Sequence, residues 1–203
     1  MDEVLQRLDH GGRALARVAS KKEDTRPSDD PDSALVTEAR SDPSKFLALY
    51  DRHFTRVHGY VRLRVGDAAT AEDITSDVFM TALTKLDEFR GEGSFSAWLF
   101  RIAQNAVRGA HRRQPVAPWT EEALPIRDDS PGPEEQVLAE ERLAELRGLF
   151  AALRAEQQDL LALRYAAELS YKEIGQVAGT STVAARVAVH RILEDLRRRY
   201  SHD

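Results

Sequence analysis

The chain has 203 residues, enough for one large domain or two small ones, and its 42% hydrophobic content can build real cores. A net charge of −5 confines any nucleic-acid contact to local basic faces, and the absence of cysteine excludes disulfides, thiolate zinc sites and thiol catalysis. No run of about 18 apolar residues is available to cross a membrane, and the opening MDEVLQRLDH lacks the basic-then-apolar order of a signal peptide.

Residues 2–18 carry a weak helical pattern interrupted by Gly11 and Gly12, and the charged tract KKEDTRPSDDPDS that follows reads as disordered. Residues 1–42 are therefore expected to be a partly disordered N-terminal extension. From Pro43 the periodicity is helical. Phe46, Leu47, Tyr50, Phe54, Val57 and Val61 recur at three- and four-residue steps. Gly66-Asp67 breaks this helix, and Asp67 is placed to cap the next, which carries Ile74, Val78, Phe79 and Leu83. Gly91 and Gly93 make a second break, after which Ser94 is placed to cap a helix opening at Phe95.

That helix has two faces. Phe95, Trp98, Leu99, Ile102, Ala106 and Ala110 form an apolar stripe. Arg101, Asn105, Arg108 and Arg112 recur at i, i+4, i+7 and i+11 on another side, and arginine and asparagine suit phosphate and base contacts. The glycine-bearing loop Phe89–Ser94 stands at the mouth of this basic stripe. Aromatics beside positive charge are what single-stranded nucleic acid needs, although packing explains part of the cluster.

Residues 114–133 hold five of the eight prolines, which no helix survives, so 114–132 reads as a stiff, acidic linker. A second helical region, 133–203, follows. Within it Ser170-Tyr171-Lys172-Glu173 fits a capping box, Gly179 fits a helix end, and Ser181 is placed to cap a last helix with Ala185, Val189, Ile192 and Leu196 buried. The remaining face shows Thr182, Val183, Arg186, Val187 and His190, with Arg191 beyond. A helix-turn-helix places such a surface in the major groove, where Arg186 meets phosphate or guanine and valines meet thymine methyls. The fold class is all-α: two small helical domains, 43–113 and 133–203, joined by a flexible linker.

Three segments in this order resemble a known family. AEDITSDVFMTAL (Ala71 to Leu83), LDEFRGEGSFSAWLFRIAQNAVRGAHRR (Leu86 to Arg113) and LRAEQQDLLALRYAAELSYKEIGQVAGTS (Leu153 to Ser181) resemble regions 2 and 4 of sigma-70 RNA polymerase sigma factors, extracytoplasmic-function (ECF) group. The resemblance implies a cytoplasmic, non-enzymatic factor. It would bind core RNA polymerase, through the β′ clamp and β subunit, and direct it to promoter DNA, with no cofactor. It implies polymerase contact through Asp73, Asp77 and Phe79. The −10 element would be read as a single strand by Phe89, Arg90, Phe95, Arg101, Asn105, Arg108, Arg112 and Arg113. The −35 duplex would be read by Ser181, Thr182, Val183, Arg186, Val187, His190 and Arg191. An anti-sigma factor is a further candidate partner.

The recognition helix departs from the family. Where members commonly show lysine, serine and arginine, this chain reads Arg186, Val187 and Ala188. Weaker phosphate contact and more methyl contact at −35 are expected. Two rival readings account for less of the chain. A helix-turn-helix regulator acting without polymerase leaves the arginine stripe unexplained. A metal-dependent hydrolase would need more than Asp73, Asp77 and their acidic neighbours Glu72 and Asp67; no second acidic helix matches them, HExxH is absent, and His53 and His58 are badly spaced, so no metal site is expected.

Overall fold

The computed structural model describes residues 30–113 and 145–200. The pattern at 2–18, the linker at 114–132 and the helix expected from Pro133 lie outside the described residues. Among the described residues there is no strand.

The first unit is a bundle. Helix α1 (Ser33–Ser41) buries Val36 and Ala39. A 3₁₀ turn, Pro43–Lys45, is capped by Asp42 and leads into α2 (Phe46–Val65). Helix α3 (Ala68–Thr84) starts where the Asp67 carboxylate accepts from the Thr70 amide at 2.7 Å, the cap that the sequence calls for. A 3₁₀ turn, Leu86–Glu88, and the loop holding Gly91 and Gly93 connect to α4 (Phe95–Arg113), whose Ser94 hydroxyl accepts from the Ala97 amide at 3.1 Å.

Among the described residues, packing extends upstream of Pro43 as far as Asp30. Asp32 is buried and bonds His53 Nε2 at 2.8 Å and Arg52 Nη1 at 2.8 Å on α2. The Asp30 carboxylate accepts from the Phe95 amide at 2.7 Å, placing negative charge on the N-terminus of α4. Arg40 donates to the carbonyls of Leu86 and Phe89. Asp30 and Asp32, the described acidic residues at the end of the tract that reads as disordered by composition, are thus held by polar partners that composition does not register.

In the second unit residues 145–151 are helical. Helix α5 (Ala155–Leu161) continues into a π-helical turn, Ala162–Ala166, then α6 (Tyr171–Ala178) and α7 (Thr182–Tyr200). The capping box forms as expected: the Ser170 hydroxyl accepts from the Glu173 amide at 3.2 Å, and Glu173 Oε2 accepts from the Ser170 amide at 2.9 Å. Gly179 ends α6 at φ 67°, where a side chain would be strained, and the Ser181 hydroxyl caps α7 through the Ala184 amide at 3.1 Å. Ala185, Val189 and Ile192 are buried along α7, and Leu196 continues the stripe half-buried.

The α6–α7 corner leaves no room at Gly175. A Cβ there would lie 2.9 Å from the Thr180 carbonyl oxygen and 3.2 Å from the Ser181 carbonyl carbon, both backbone. Gly175→Val is expected to destabilise the chain by about 3 kcal/mol, read by chemical denaturation, because backbone atoms of the turn cannot rotate aside as a side chain can.

The two units are not separate bodies in this structure. One core cluster runs from Val36 and Phe46 through Leu99, Phe100 and Val107 to Leu163, Leu169, Ile174 and Ala185. Along α4 the deepest positions are Phe95, Leu99, Phe100, Ala103 and Val107, whereas Ile102, Ala106 and Ala110 of the expected stripe are only partly buried. Two sides of α4 are packed, one against α2 and α3 and one against α6.

Candidate nucleic-acid and polymerase interfaces

Three surfaces carry the site residues. The first is the α4 stripe. Arg101, Asn105, Arg108, Arg112 and Arg113 are all exposed as residues, on one helix started by the Ser94 hydroxyl and the Asp30 carboxylate. Arg101 and Arg108 are nevertheless engaged by the second unit. Arg101 Nη2 donates to the Gln176 carbonyl at 2.5 Å, and Arg108 Nη2 stands 3.6 Å from Asp159 Oδ2.

Asp159 is the centre of this contact. It is buried, and its Oδ1 accepts from Arg64 Nε at 2.7 Å and the Tyr60 hydroxyl at 3.0 Å, while Gln104 Nε2 reaches Oδ2 at 3.4 Å. Burial, followed by the negative charge of Asp159, holds the Tyr60 phenol well above its ordinary pKa, so it stays a hydroxyl donor. Burial lowers the nearby His111 pKa, partly offset by the hydrogen bond to the Arg64 carbonyl at 3.0 Å.

At the mouth of the stripe Phe89 and Phe95 are buried, and Trp98 is partly so. Their rings pack on one another, with centroids 5.8 Å apart for Phe89–Phe95 and 5.4 Å for Phe89–Trp98, and Phe95 also meets His53 at 5.5 Å. These rings therefore form the back wall of the loop. Arg90, Gly91, Glu92 and Gly93 are the exposed members of the loop.

The second surface is on α3. Asp73 and Asp77 are exposed on one face and Met80 continues it at i+7, 63% exposed. Phe79 is buried against Tyr50 (4.7 Å) and Phe54 (6.4 Å), behind this exposed row. Leu47, one of the apolar residues at helical spacing, is 62% exposed on α2.

The third surface is the recognition helix. Ser181, Thr182, Val183, Arg186, Val187, His190 and Arg191 are all exposed, Val183 at 71%. Sequence spacing misses two companions. The Tyr171 ring lies under the guanidinium of Arg164 at 4.4 Å and of Arg186 at 5.3 Å, and 6.3 Å from the His190 ring. Arg164 and Tyr171 fall on different elements, and Glu168 at φ 53° turns the chain between them, so no helical period links them.

Comparisons with known proteins agree with this arrangement. Residues 49–115 match the Sigma-70 region 2 family and residues 143–196 the Sigma-70 region 4 family. The ECF RNA polymerase sigma factor BldN of Streptomyces coelicolor is 34% identical over 181 residues, covering 85% of this chain and 69% of BldN. The chain belongs to the ECF RNA polymerase sigma factors. SigD of Mycobacterium tuberculosis, another ECF sigma factor, is 34% identical over 147 residues, 68% of each chain. The solved complex of CnrH with the cytosolic domain of CnrY shares the fold, with a TM-score of 0.65 at 24% identity over 86% of this chain and 99% of that one.

The first unit described above thus contains sigma region 2 and the second region 4. A promoter-directing function follows from the family. A sigma factor accounts for both units, whereas a helix-turn-helix regulator accounts only for the second. Among the described residues no group of three or more His, Asp or Glu is gathered to hold a metal, and no helix is long and apolar enough to cross a membrane.

Proposed function

We propose that this sigma factor acts in the cytoplasm as an initiation factor with no enzymatic step of its own. It joins core RNA polymerase at its β′ clamp and β subunit, and recognises promoter DNA through two faces. The exposed α3 row Asp73, Asp77 and Met80, backed by Phe79, is the clamp contact. Arg101, Asn105, Arg108, Arg112 and Arg113, with Arg90 at the loop, hold the single-stranded −10 element, while Phe89 and Phe95 shape the loop from behind. Ser181, Thr182, Val183, Arg186, Val187, His190 and Arg191 read the −35 duplex. The observation that carries this reading is the α4 row of arginines and an asparagine in the same chain as an exposed recognition helix. An anti-sigma partner is part of the proposal by analogy, since the similar CnrH was solved with the cytosolic domain of CnrY.

Run-off transcription tests the reading. Purified protein, bacterial core polymerase and fragments of its own upstream DNA are expected to give discrete transcripts that require the protein. Specific duplex binding by the free protein, with no polymerase binding and no transcript, would return the chain to the plain regulator.

At −35, the valines replace polar contacts and Arg186 leans on Tyr171. The log–log dependence of duplex affinity on salt is expected to be shallow, about one or two released ions. Tyr171→Ala removes the platform under both guanidiniums and is expected to weaken −35 duplex binding by about tenfold, a typical worth for such a cation–π pair once desolvated. An unchanged affinity would show that Arg164 and Arg186 reach DNA without it.

A further inference from the structure

The loop Phe89–Ser94, which the proposed function places at the mouth of the −10 face, is tied at both ends to one upstream segment. At its entry Arg40, in the last turn of α1, donates through Nε and Nη2 to the Leu86 carbonyl at 3.4 and 3.3 Å, and through Nη2 to the Phe89 carbonyl. At its exit the Asp30 carboxylate accepts from the Phe95 amide at 2.7 Å. The segment that carries both residues is itself fixed to α2. Val36 and Ala39 are buried, Asp32 pairs with His53 and Arg52, and Arg52 Nη1 also donates to the Pro31 carbonyl at 3.0 Å. Residues 30–41 thus form a strut from α2 to the two ends of the loop.

We propose that Arg40 and Asp30 are positioning residues for −10 recognition: they fix the shape of the Phe89–Ser94 loop and so set which base it accepts. This inference rests on the reading of the loop and α4 as the −10 surface. It adds a determinant of promoter selectivity that acts through the loop backbone and not through its own contact with DNA.

The loop needs such a brace. Gly91 and Gly93 stand at φ 74° and 99°, and without side chains each has many other conformations open to it. With Phe89 and Phe95 buried, Arg90, Gly91, Glu92 and Gly93 are the members that a base can meet, so much of the reading there falls to backbone amides and carbonyls. Such groups select a partner only when their support holds them to within about 0.5 Å of the productive geometry. Arginine suits the entry. Its planar fork spans two carbonyls at once, an arrangement that a lysine ammonium does not reproduce. Nε and Nη2 are both spent on the loop backbone, which leaves Arg40 turned toward the chain and not toward a phosphate. Arg40 is exposed as a residue, so removing its guanidinium opens no cavity in the core.

The test measures base discrimination by the assembled polymerase. Wild type, Arg40→Gln and Asp30→Ala are each combined with core polymerase and titrated with the labelled −10 single strand located by the run-off start sites, then with strands in which each base in turn is replaced. Wild type is expected to discriminate at the position that meets the loop. Each variant is expected to lose at least about fivefold of that ratio, the worth of about one hydrogen bond, at the same position, and to keep the ratios elsewhere. A merely destabilised protein loses active molecules, which lowers binding to all strands alike and leaves every ratio unchanged. Unchanged ratios overturn the role of whichever residue was replaced. So does an equal loss on every strand with a salt slope lower by about 0.7 in Arg40→Gln, which would make Arg40 a phosphate contact. If Arg40→Gln does not fold, Arg40→Lys, which keeps the charge and lacks the fork, decides by the same ratio. Amide exchange in the free full chain separates the brace from the promoter reading. The Phe89 amide, bonded to the Leu86 carbonyl at 3.2 Å, is expected to exchange at least about fivefold faster in Arg40→Gln. Equal exchange overturns the brace whatever the strands show. Wild-type polymerase that binds every strand equally overturns the −10 reading of the loop, and the exchange rates still decide whether Arg40 holds it.

Discussion

Asp32→Ala is expected to lower the stability of the chain by about 3 kcal/mol, the low end of the range for removing one partner of a buried pair. The substitution leaves His53 Nε2 without its acceptor at a position 1% exposed and releases Arg52, whose side chain is half in water and adds less. The loss carries a pH signature. Burial by itself would raise the Asp32 pKa, but the hydrogen bond and charge of His53, then those of Arg52, outweigh it and the net value falls below 3.8. A carboxylate with a lowered folded pKa contributes its stability above the unfolded value and loses it as pH falls through the folded one. The gap between wild type and Asp32→Ala should therefore narrow as pH drops below about 3.8. Asp30, two residues away, runs the other way. Burial raises its pKa against the hydrogen bond from Phe95, so its contribution fades as pH rises from 3.8 through the raised value. Denaturation midpoints measured across this range check both signs, and a gap that stays constant into acid would contradict the assignment to Asp32.

What the sequence reveals and what it hides follow from how far each interaction reaches. Asp67, Ser94, Ser170 with Glu173, and Ser181 each cap a helix through an amide three residues away, so a local pattern suffices to place them. The Arg101, Asn105, Arg108 and Arg112 row is legible for the same reason, since helical period alone puts it on one face. Asp159 is not legible. In AEQQDLL it looks like any acidic residue on a short helix, and its strongest partners, Arg64 and Tyr60, are 95 and 99 positions upstream. Asp30 and Asp32 sit in a stretch whose composition signals disorder, yet they bond to residues 65 and 21 positions away. Phe79 and Leu47 show the remaining gap. Periodicity gives both helical spacing, but which side chain turns inward depends on the neighbouring helix: Phe79 packs on Tyr50 and Phe54, whereas Leu47 is exposed.

The contacts that Arg101 and Arg108 make with the second unit change how the arginines of α4 should respond to mutation. For a single strand, each phosphate neutralised contributes about 0.7 to the slope of log affinity against log salt. Arg101→Gln, Arg108→Gln and Arg112→Gln together should lower that slope by about 2 and weaken −10 strand binding by about 100-fold at 0.1 M salt. The strand to use is the one located by the run-off start sites. The three residues should not behave alike one at a time. Arg112 is exposed, whereas Arg101 and Arg108 also hold region 4. With core polymerase bound, each single substitution should cost about fivefold, the effect of one phosphate at this salt. In the free protein Arg112→Gln should keep that cost. Arg101→Gln and Arg108→Gln should show less, because each removes a strand contact and a closing contact at once. Fluorescence anisotropy of a labelled single strand, with and without core polymerase, separates the two cases. Equal losses for all three in the free protein would mean that the arginines of α4 already face solvent there and that region 4 covers nothing.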